Sequence, residues 1–309
     1  MNDVLLKTAQ ENGDCLKIVP IKRLENLRNE LARFQAEYDL NGFQKWIVND
    51  LYSYEPPKTA YKIQSIIIVA MPHPAYAEVE FKYNGKCYTI FGLVSSEHDK
   101  TEHYIKTTLE QAGYHVEPAP RLPLKRLAVQ CGLAEYGRNN ITYVPGMGSH
   151  LSYAAYFTDM PPVEDSWREV CVAKQCNNCT MCLDKCPTEA IKKDSFLIDN
   201  SRCLSAMNES ADAFPDWLPF SVHHTIYDCF RCQQNCPMNK NYNNKLDAPI
   251  NFNEEETERI IKGPPYDKIS RELKQKIKIL ALDKWPDGIS RNLLLLFDLI
   301  DNGHIPSLR

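Results

Sequence analysis

Apolar positions recur at helical intervals through LENLRNELARFQAEYDL (24–40), and residues 1–60 as a whole read as mostly helical. The pattern then switches. SIIIVAMP (65–72) is an unbroken apolar run rich in β-branched residues and bounded by turn-formers, which predicts a strand buried on both faces. EFKYNGKCYTIF (80–91) holds Asn84-Gly85 between aromatic and β-branched residues, a hairpin signal. Residues 101–112 predict a helix stopped at Gly113, and LKRLAVQCGLAEYG (124–137) another with glycines at its end. ITYV (141–144) and LSYAAYFTD (151–159) read as strands joined by the tight loop PGMGSH. Helices alternating with strands up to about residue 160 argue for an α/β domain.

After Met160-Pro161-Pro162 the character changes. Residues 171–238 are cysteine-dense and loop-rich. From 250 onward the chain is charged and helical, ending in ISRNLLLLFDLI (289–300). These shifts divide the chain into an α/β domain (1–165), a cysteine module (166–245) and a helical C-terminal segment (246–309).

Composition narrows the function classes. Among 309 residues, 43% are hydrophobic and 25% charged, the profile of an ordinary soluble globular protein. The net charge of −4 gives no overall electrostatic case for nucleic acid or anionic membrane. The basic stretch KISRELKQKIK (268–278) reads equally well as a solvated helix face. No apolar run approaches the ~20 residues that span a bilayer, and the N-terminus lacks a secretory layout. Twelve cysteines in such a chain point to metal binding before disulfides and to a reducing cytoplasm.

Eight of those cysteines carry the strongest signal. Cys176, Cys179, Cys182 and Cys186-Pro187 form the bacterial ferredoxin run, in which three thiolates hold one [4Fe–4S] cluster and the fourth reaches a neighbouring one. Cys203, Cys229, Cys232 and Cys236-Pro237 supply the rest. Cross-over logic assigns Cys176, Cys179, Cys182 and Cys236 to cluster 1, and Cys186, Cys203, Cys229 and Cys232 to cluster 2. Paired structural zinc sites also favour CxxC spacing, but seldom a tandem CxxCxxC ending in CP. Cys15, Cys87, Cys131 and Cys171 lie outside the pattern and read as small core residues.

The cysteine set, with the lone Cys203 in NSRCLS, resembles that of the epoxyqueuosine reductases. So does CGLAEYGRNNITYVPGMGSHLSYAAYFTD upstream. Reductive dehalogenases are more distantly similar. The resemblance runs from about Gly42 to Cys236 and more weakly to SRNLLLLF. It implies a cobalamin-binding α/β domain (a nitroreductase-like three-layer sandwich), a ferredoxin-like double-cluster module and a short helical tail. It further implies that Gly132–Ser149 cradles base-off cobalamin, with Gly137, Asn139, Thr142, Gly148, Ser149 and Tyr153 as contacts. Read from the residues alone, the same glycines serve equally as a helix C-cap leading into a strand. The stretch lacks the Lys and Ser/Thr of a phosphate loop, and no DxHxxG histidine-ligand motif occurs.

One departure concerns catalysis. The family's proton-donating aspartate begins a D-x-x-P-L segment, and the matching segment here is Pro120-Arg121-Leu122-Pro123-Leu124. Proline cannot act as an acid. Tyr136, Tyr143, His150 and Tyr153 are the candidate substitutes beside the cradle. His73 is a further candidate at a strand end, whereas His223-His224 reads as structural. The expectation is thus a cobalamin-dependent iron–sulfur oxidoreductase fed by an external ferredoxin or flavodoxin and acting on a small molecule or a partner corrinoid protein. Epoxyqueuosine reduction on tRNA with a relocated acid is one alternative, and a cobalamin-reactivating electron carrier is another. The missing aspartate, and a chain ending at Arg309 before the family's longer basic helical region, make tRNA the less expected partner.

Overall fold

The computed structural model describes residues 1–266, 268–284 and 286–304. The chain forms two compact units, each assembled from separated segments. The first comprises 1–72, 96–137 and 141–174; the second comprises 73–95, 138–140 and 175–309. These units cut across the contiguous ranges 1–165, 166–245 and 246–309.

The first unit is built on a four-stranded sheet in the order β1-β2-β8-β5, where β1 is Cys15–Pro20, β2 Ser65–Pro72, β5 Val116–Pro118 and β8 Leu151–Thr158. All three pairings are antiparallel, with Ile67 opposite both Ile18 and Tyr156. β2 is buried on both faces, as its unbroken apolar run predicts. Ile67, Val69 and Met71 meet α1 (Asn2–Glu11) through Leu5 and Ala9, and α4 (His98–Gln111) through Tyr104, Ile105 and Leu109. α5 (Leu124–Gln130) packs against β2 and β8.

The helix expected over 124–137 therefore stops early. Gly132 takes a left-handed φ of +80°, and the chain continues into β6 (Glu135–Tyr136), which pairs with β7 (Thr142–Tyr143). Arg168 seals the end of α5: its guanidinium donates to the carbonyls of Val129 at 3.0 Å and Ala134 at 2.6 Å. ITYV and LSYAAYFTD do not pair with each other, since β7 joins β6 and β8 lies between β2 and β5. The N-terminal stretch expected to be mostly helical holds α2 (Arg23–Glu37) and α3 (Gly42–Trp46), but also the strand β1.

The second unit begins with the predicted hairpin, β3 (Tyr76–Tyr83) and β4 (Lys86–Leu93). Asn84 and Gly85 take φ of 50° and 73°, the left-handed pair that a two-residue turn of matching twist requires. β9 (Ile250–Phe252) joins β3 in parallel. Ala77, Val79 and Phe81 share a core with Ile260 of α9 (Glu254–Lys262), Leu273 of α10 (Arg271–Ile279) and Leu293 of α11 (Pro286–Asp301). Phe81 and Phe252 stack at 4.8 Å. Ile226 and Tyr227, from the cysteine segment, belong to the same core.

Candidate redox centre and cofactor cradle

All eight motif cysteines lie in the second unit. Cys182 sits in the short α6 (Met181–Asp184) and Cys232 in the similarly short α8 (Arg231–Gln234). Cys203 precedes α7 (Leu204–Glu209). Phe230, fully buried between Cys229 and Cys232, plugs into Ala75 and Leu93 at the base of the hairpin. His224 braces the same turn: its Nδ1 donates to the Val222 carbonyl at 3.0 Å, and its Nε2 accepts the Phe230 N–H at 3.4 Å. Burial, reinforced by Arg231, lowers the His224 pKa to about 4 and keeps it neutral.

The electrostatic neighbours of the thiols fall into two sets. Cys176 and Cys182 each interact with Cys179 and Cys236, whereas Cys203, Cys229 and Cys232 interact with Cys186 and with one another. Burial pushes Cys182 up to about 11 and Cys229 up to about 12, and neighbouring thiols add to both. Four thiolates therefore stay ionised together only when a bound cation compensates their charge. Among the described residues no three His, Cys, Asp or Glu groups are spaced to grip a single ion. The tandem CxxCxxC spacing ending in CP is that of cubane-cluster ligands. Arg138 supplies a further sign of fit. Its Nε is buried without a hydrogen-bond partner among the described residues, while its guanidinium donates to the Cys176 carbonyl at 2.6 Å and its backbone N–H to Cys176 Sγ at 3.4 Å.

The expected cradle residues are distributed between the units. Gly137, Thr142, Gly148, Ser149 and Tyr153 lie in the first, with Tyr136, Tyr143 and His150. Asn139 lies in the second, where its amide donates to the Cys232 carbonyl at 3.3 Å. Within the first unit, the Gly137 N–H donates to Ile141 O at 2.7 Å, and Val144 and Gly148 exchange backbone bonds of 2.9 and 3.0 Å. Tyr153 donates its hydroxyl to Thr142 Oγ1 at 2.9 Å. Tyr136 is electrostatically coupled to Tyr153, Tyr52, Glu30 and Arg126. Arg126 pairs with Glu30 and lies 4.1 Å over the Phe34 ring. Burial raises the phenol pKa of Tyr136 and Tyr153 far above neutrality, so each stays a proton donor. Tyr143, Ser149 and His150 are buried.

Pro120 is exposed on a loop pinned by its neighbour Arg121, which donates to the carbonyls of Leu51 at 2.8 Å and Asp50 at 2.5 Å. His73 lies in the second unit, its Nδ1 2.8 Å from the Pro74 carbonyl. Sequence reasoning missed Arg138, Asp228 and the Glu30–Arg126 pair. Arg138 and the Glu30–Arg126 pair make contacts across 38 and 96 positions, and Asp228, although next to Cys229, belongs to no recognised ligand motif.

Residues 175–239 match the 4Fe-4S double cluster binding domain. The chain is similar to the epoxyqueuosine reductase of Cyclobacterium marinum, 26% identical over 71% of this chain and 70% of that protein. It is also similar to that of Bacillus subtilis, 24% identical over 100% of this chain and 82% of that one. The Pseudomonas aeruginosa protein is 33% identical, over 40% of this chain and 34% of its own. Among solved structures, epoxyqueuosine reductase from B. subtilis, with its catalytic aspartate loop swung out of the active site, gives a TM-score of 0.64 at 19% identity. It covers 96% of this chain and 80% of that one. An epoxyqueuosine reductase holding an epoxyqueuosine-modified tRNA stem loop gives 0.62 at 19% identity, with the same coverage. A catabolic reductive dehalogenase reaches only 0.39. No helix among the described residues is long and apolar enough to cross a membrane. Sequence relatives, shared fold and the matched cysteine segment agree: the chain is similar to the epoxyqueuosine reductases, and residues 175–239 match a double [4Fe–4S] cluster binding domain.

Proposed function

We propose that this protein is a cobalamin-dependent iron–sulfur reductase of the epoxyqueuosine reductase type, acting on a modified nucleoside carried by tRNA. The sequence alone favours a small-molecule substrate. The similarity to epoxyqueuosine reductases over the whole chain, and a solved relative holding a tRNA stem loop, support the tRNA reading instead. The single observation that carries the redox half is the sorting of eight thiols into two sets of four. It supports assigning one cluster to Cys176, Cys179, Cys182 and Cys236 and the other to Cys186, Cys203, Cys229 and Cys232.

Bound cobalamin would supply the strongly reducing metal centre for opening a carbon–oxygen bond. The chain's own task is to deliver electrons, orient the substrate and provide a proton. Gly137, Thr142, Gly148, Ser149 and Tyr153 are the contacts proposed for the corrin, within the nitroreductase-like sandwich that the first unit's sheet and flanking helices suggest. Asn139 instead braces Cys232. Pro120 cannot protonate an alkoxide, and a positioned acid typically contributes ~10²–10⁴-fold. Tyr136 and Tyr153, both held protonated by burial, are the groups best suited to the role.

The test reconstitutes the chain anaerobically with iron, sulfide and cobalamin, then supplies a low-potential reductant and epoxyqueuosine-containing tRNA. Mass spectrometry should find queuosine, with Tyr136→Phe or Tyr153→Phe lowering the rate at least tenfold. Clusters and bound corrin with no conversion would reject the tRNA substrate in favour of a carrier that reactivates the cobalamin of another protein. Pro120 is the specific observation behind that second reading.

A further inference from the structure

The two sets of thiols sit in unlike electrostatic surroundings. At Cys176 the charge is positive: Arg138 donates its backbone N–H to Sγ at 3.4 Å and its guanidinium to the carbonyl of the same residue at 2.6 Å. A second guanidinium nitrogen is anchored 2.9 Å from the Lys193 carbonyl, and the buried Nε has no acceptor among the described residues. The planar cation is therefore fixed on two sides beside this set.

At the other set the side-chain charge that acts on the thiols is a carboxylate. Asp228 holds a left-handed φ of 64°, accepts the N–H of Cys229 at 2.9 Å on Oδ1, and accepts the Ser205 hydroxyl at 2.6 Å on the same oxygen. The Asn208 amide, 2.8 Å from the Asp228 carbonyl, holds the turn from its other side. The carboxylate acts on both Cys203 and Cys229. Asn139 and Thr188, which contact the Cys232 carbonyl and Cys186 Sγ, add only neutral dipoles.

Reducing a [4Fe–4S] cluster adds one negative charge to it. A nearby cation stabilises the reduced form and raises the potential; a nearby carboxylate lowers it. We infer that Arg138 and Asp228 set the two clusters at different potentials, the Cys176/Cys179/Cys182/Cys236 cluster being the more easily reduced, and so give the pair a direction for electron flow. With both clusters bound, one electron from a reduced ferredoxin or flavodoxin would enter at the Cys186/Cys203/Cys229/Cys232 set and would pass on to the Cys176/Cys179/Cys182/Cys236 set, the first cluster returning to its oxidised state as the second is reduced. No proton moves. This inference rests on the two-cluster reading above.

The test is a potentiometric titration followed by electron paramagnetic resonance on the reconstituted full chain, with iron counted in every sample. Cys182→Ser and Cys203→Ser, each perturbing one set, assign the signals. The wild type should show two midpoints, the Cys176-type cluster higher. Arg138→Gln should lower that midpoint, changing its reduced-to-oxidised ratio at a fixed poise at least tenfold, equivalent to ~59 mV for one electron. Arg138→Lys should recover part of the shift. Asp228→Asn, which keeps the acceptor and tolerates a positive φ, should raise the other midpoint. Equal or reversed wild-type midpoints would overturn the inference, as would variants whose midpoints move by less than a third of that amount. Loss of iron from both variants would make the two residues structural rather than tuning, and would overturn it too. Failure of the two-cluster reading is distinguishable, since the wild type would then lack two signals and about eight irons per chain.

Discussion

Asn292 is the buried side chain through which α11 holds the cysteine segment in place, and Asn292→Ala tests that connection. The Asn292 amide nitrogen donates to the carbonyls of Asn208 at 2.8 Å and Ile226 at 2.9 Å, while its oxygen accepts from the Arg291 guanidinium. Asn208 lies in the last turn of the helix that starts after Cys203, and Ile226 lies three residues before Cys229. One amide thus fixes two arms of one thiol set. Truncation leaves two buried carbonyls unpaired at ~1–3 kcal/mol each, so ~2–6 kcal/mol is expected, or roughly 30- to 20,000-fold in the closed-to-open ratio. The assay is anaerobic iron release to a chelator, followed by absorbance and paramagnetic resonance. The variant should lose the Cys203-type cluster first and keep the Cys176-type cluster nearer to wild type. Asn302→Ala, which removes an exposed bond to Asp298, should change little. If Asn292→Ala released both clusters at the wild-type rate, the claim that α11 holds these arms would be refuted.

Cys186→Ala should damage the cluster shared with Cys229 and Cys232 and spare its sequence neighbours at Cys176–Cys182; iron analysis with resonance on each single variant decides it, and loss of only the latter cluster would refute the cross-over. Bound cobalamin is expected base-off with no protein histidine on cobalt, so the Co(II) spectrum should lack nitrogen superhyperfine splitting. A third expectation concerns acid. His223 and His224 have values near 4 in the folded chain against an ordinary 6.5, because burial disfavours the charged ring. Their contribution to stability is complete above about pH 6.5 and is lost as pH falls toward 4, where a proton on His224 Nε2 would oppose the Phe230 N–H. Iron release should steepen over that window, and His224→Gln should flatten the profile; an unchanged profile would remove His224 from the account.

What was legible in the sequence was what local chemistry dictates. Asn84-Gly85 announced its hairpin because few other residues accept two successive positive φ values. SIIIVAMP announced burial on both faces because no polar residue interrupts it. β1 was hidden in a region of helical composition, and β9, three residues long, shows no period at all. LKRLAVQCGLAEYG keeps helical spacing past the point where Gly132 turns the chain, so the spacing alone predicts a longer helix than the one that forms. The cysteine motif was visible because cluster ligands cannot be exchanged for other residue types. Arg138 was not, since it reaches the thiols only through the fold. Arg138 meets Cys176 across 38 positions.

The parallel pairing of β3 with β9 has a consequence for synthesis. Glu78 on β3 and Lys245, just ahead of β9, form an ion pair across 167 positions. A ribosome adding roughly 5–20 residues per second leaves that hairpin waiting on the order of 10–30 s for its third strand. During this interval Ala77, Val79 and Phe81 have no helices to cover them, and the edge of β3 is open to any strand that diffuses past. Slow translation at low temperature lengthens the wait but weakens apolar association, whereas rapid overexpression crowds many such edges together. Yield of intact protein should therefore depend on holding chaperones during translation as much as on the supply of iron.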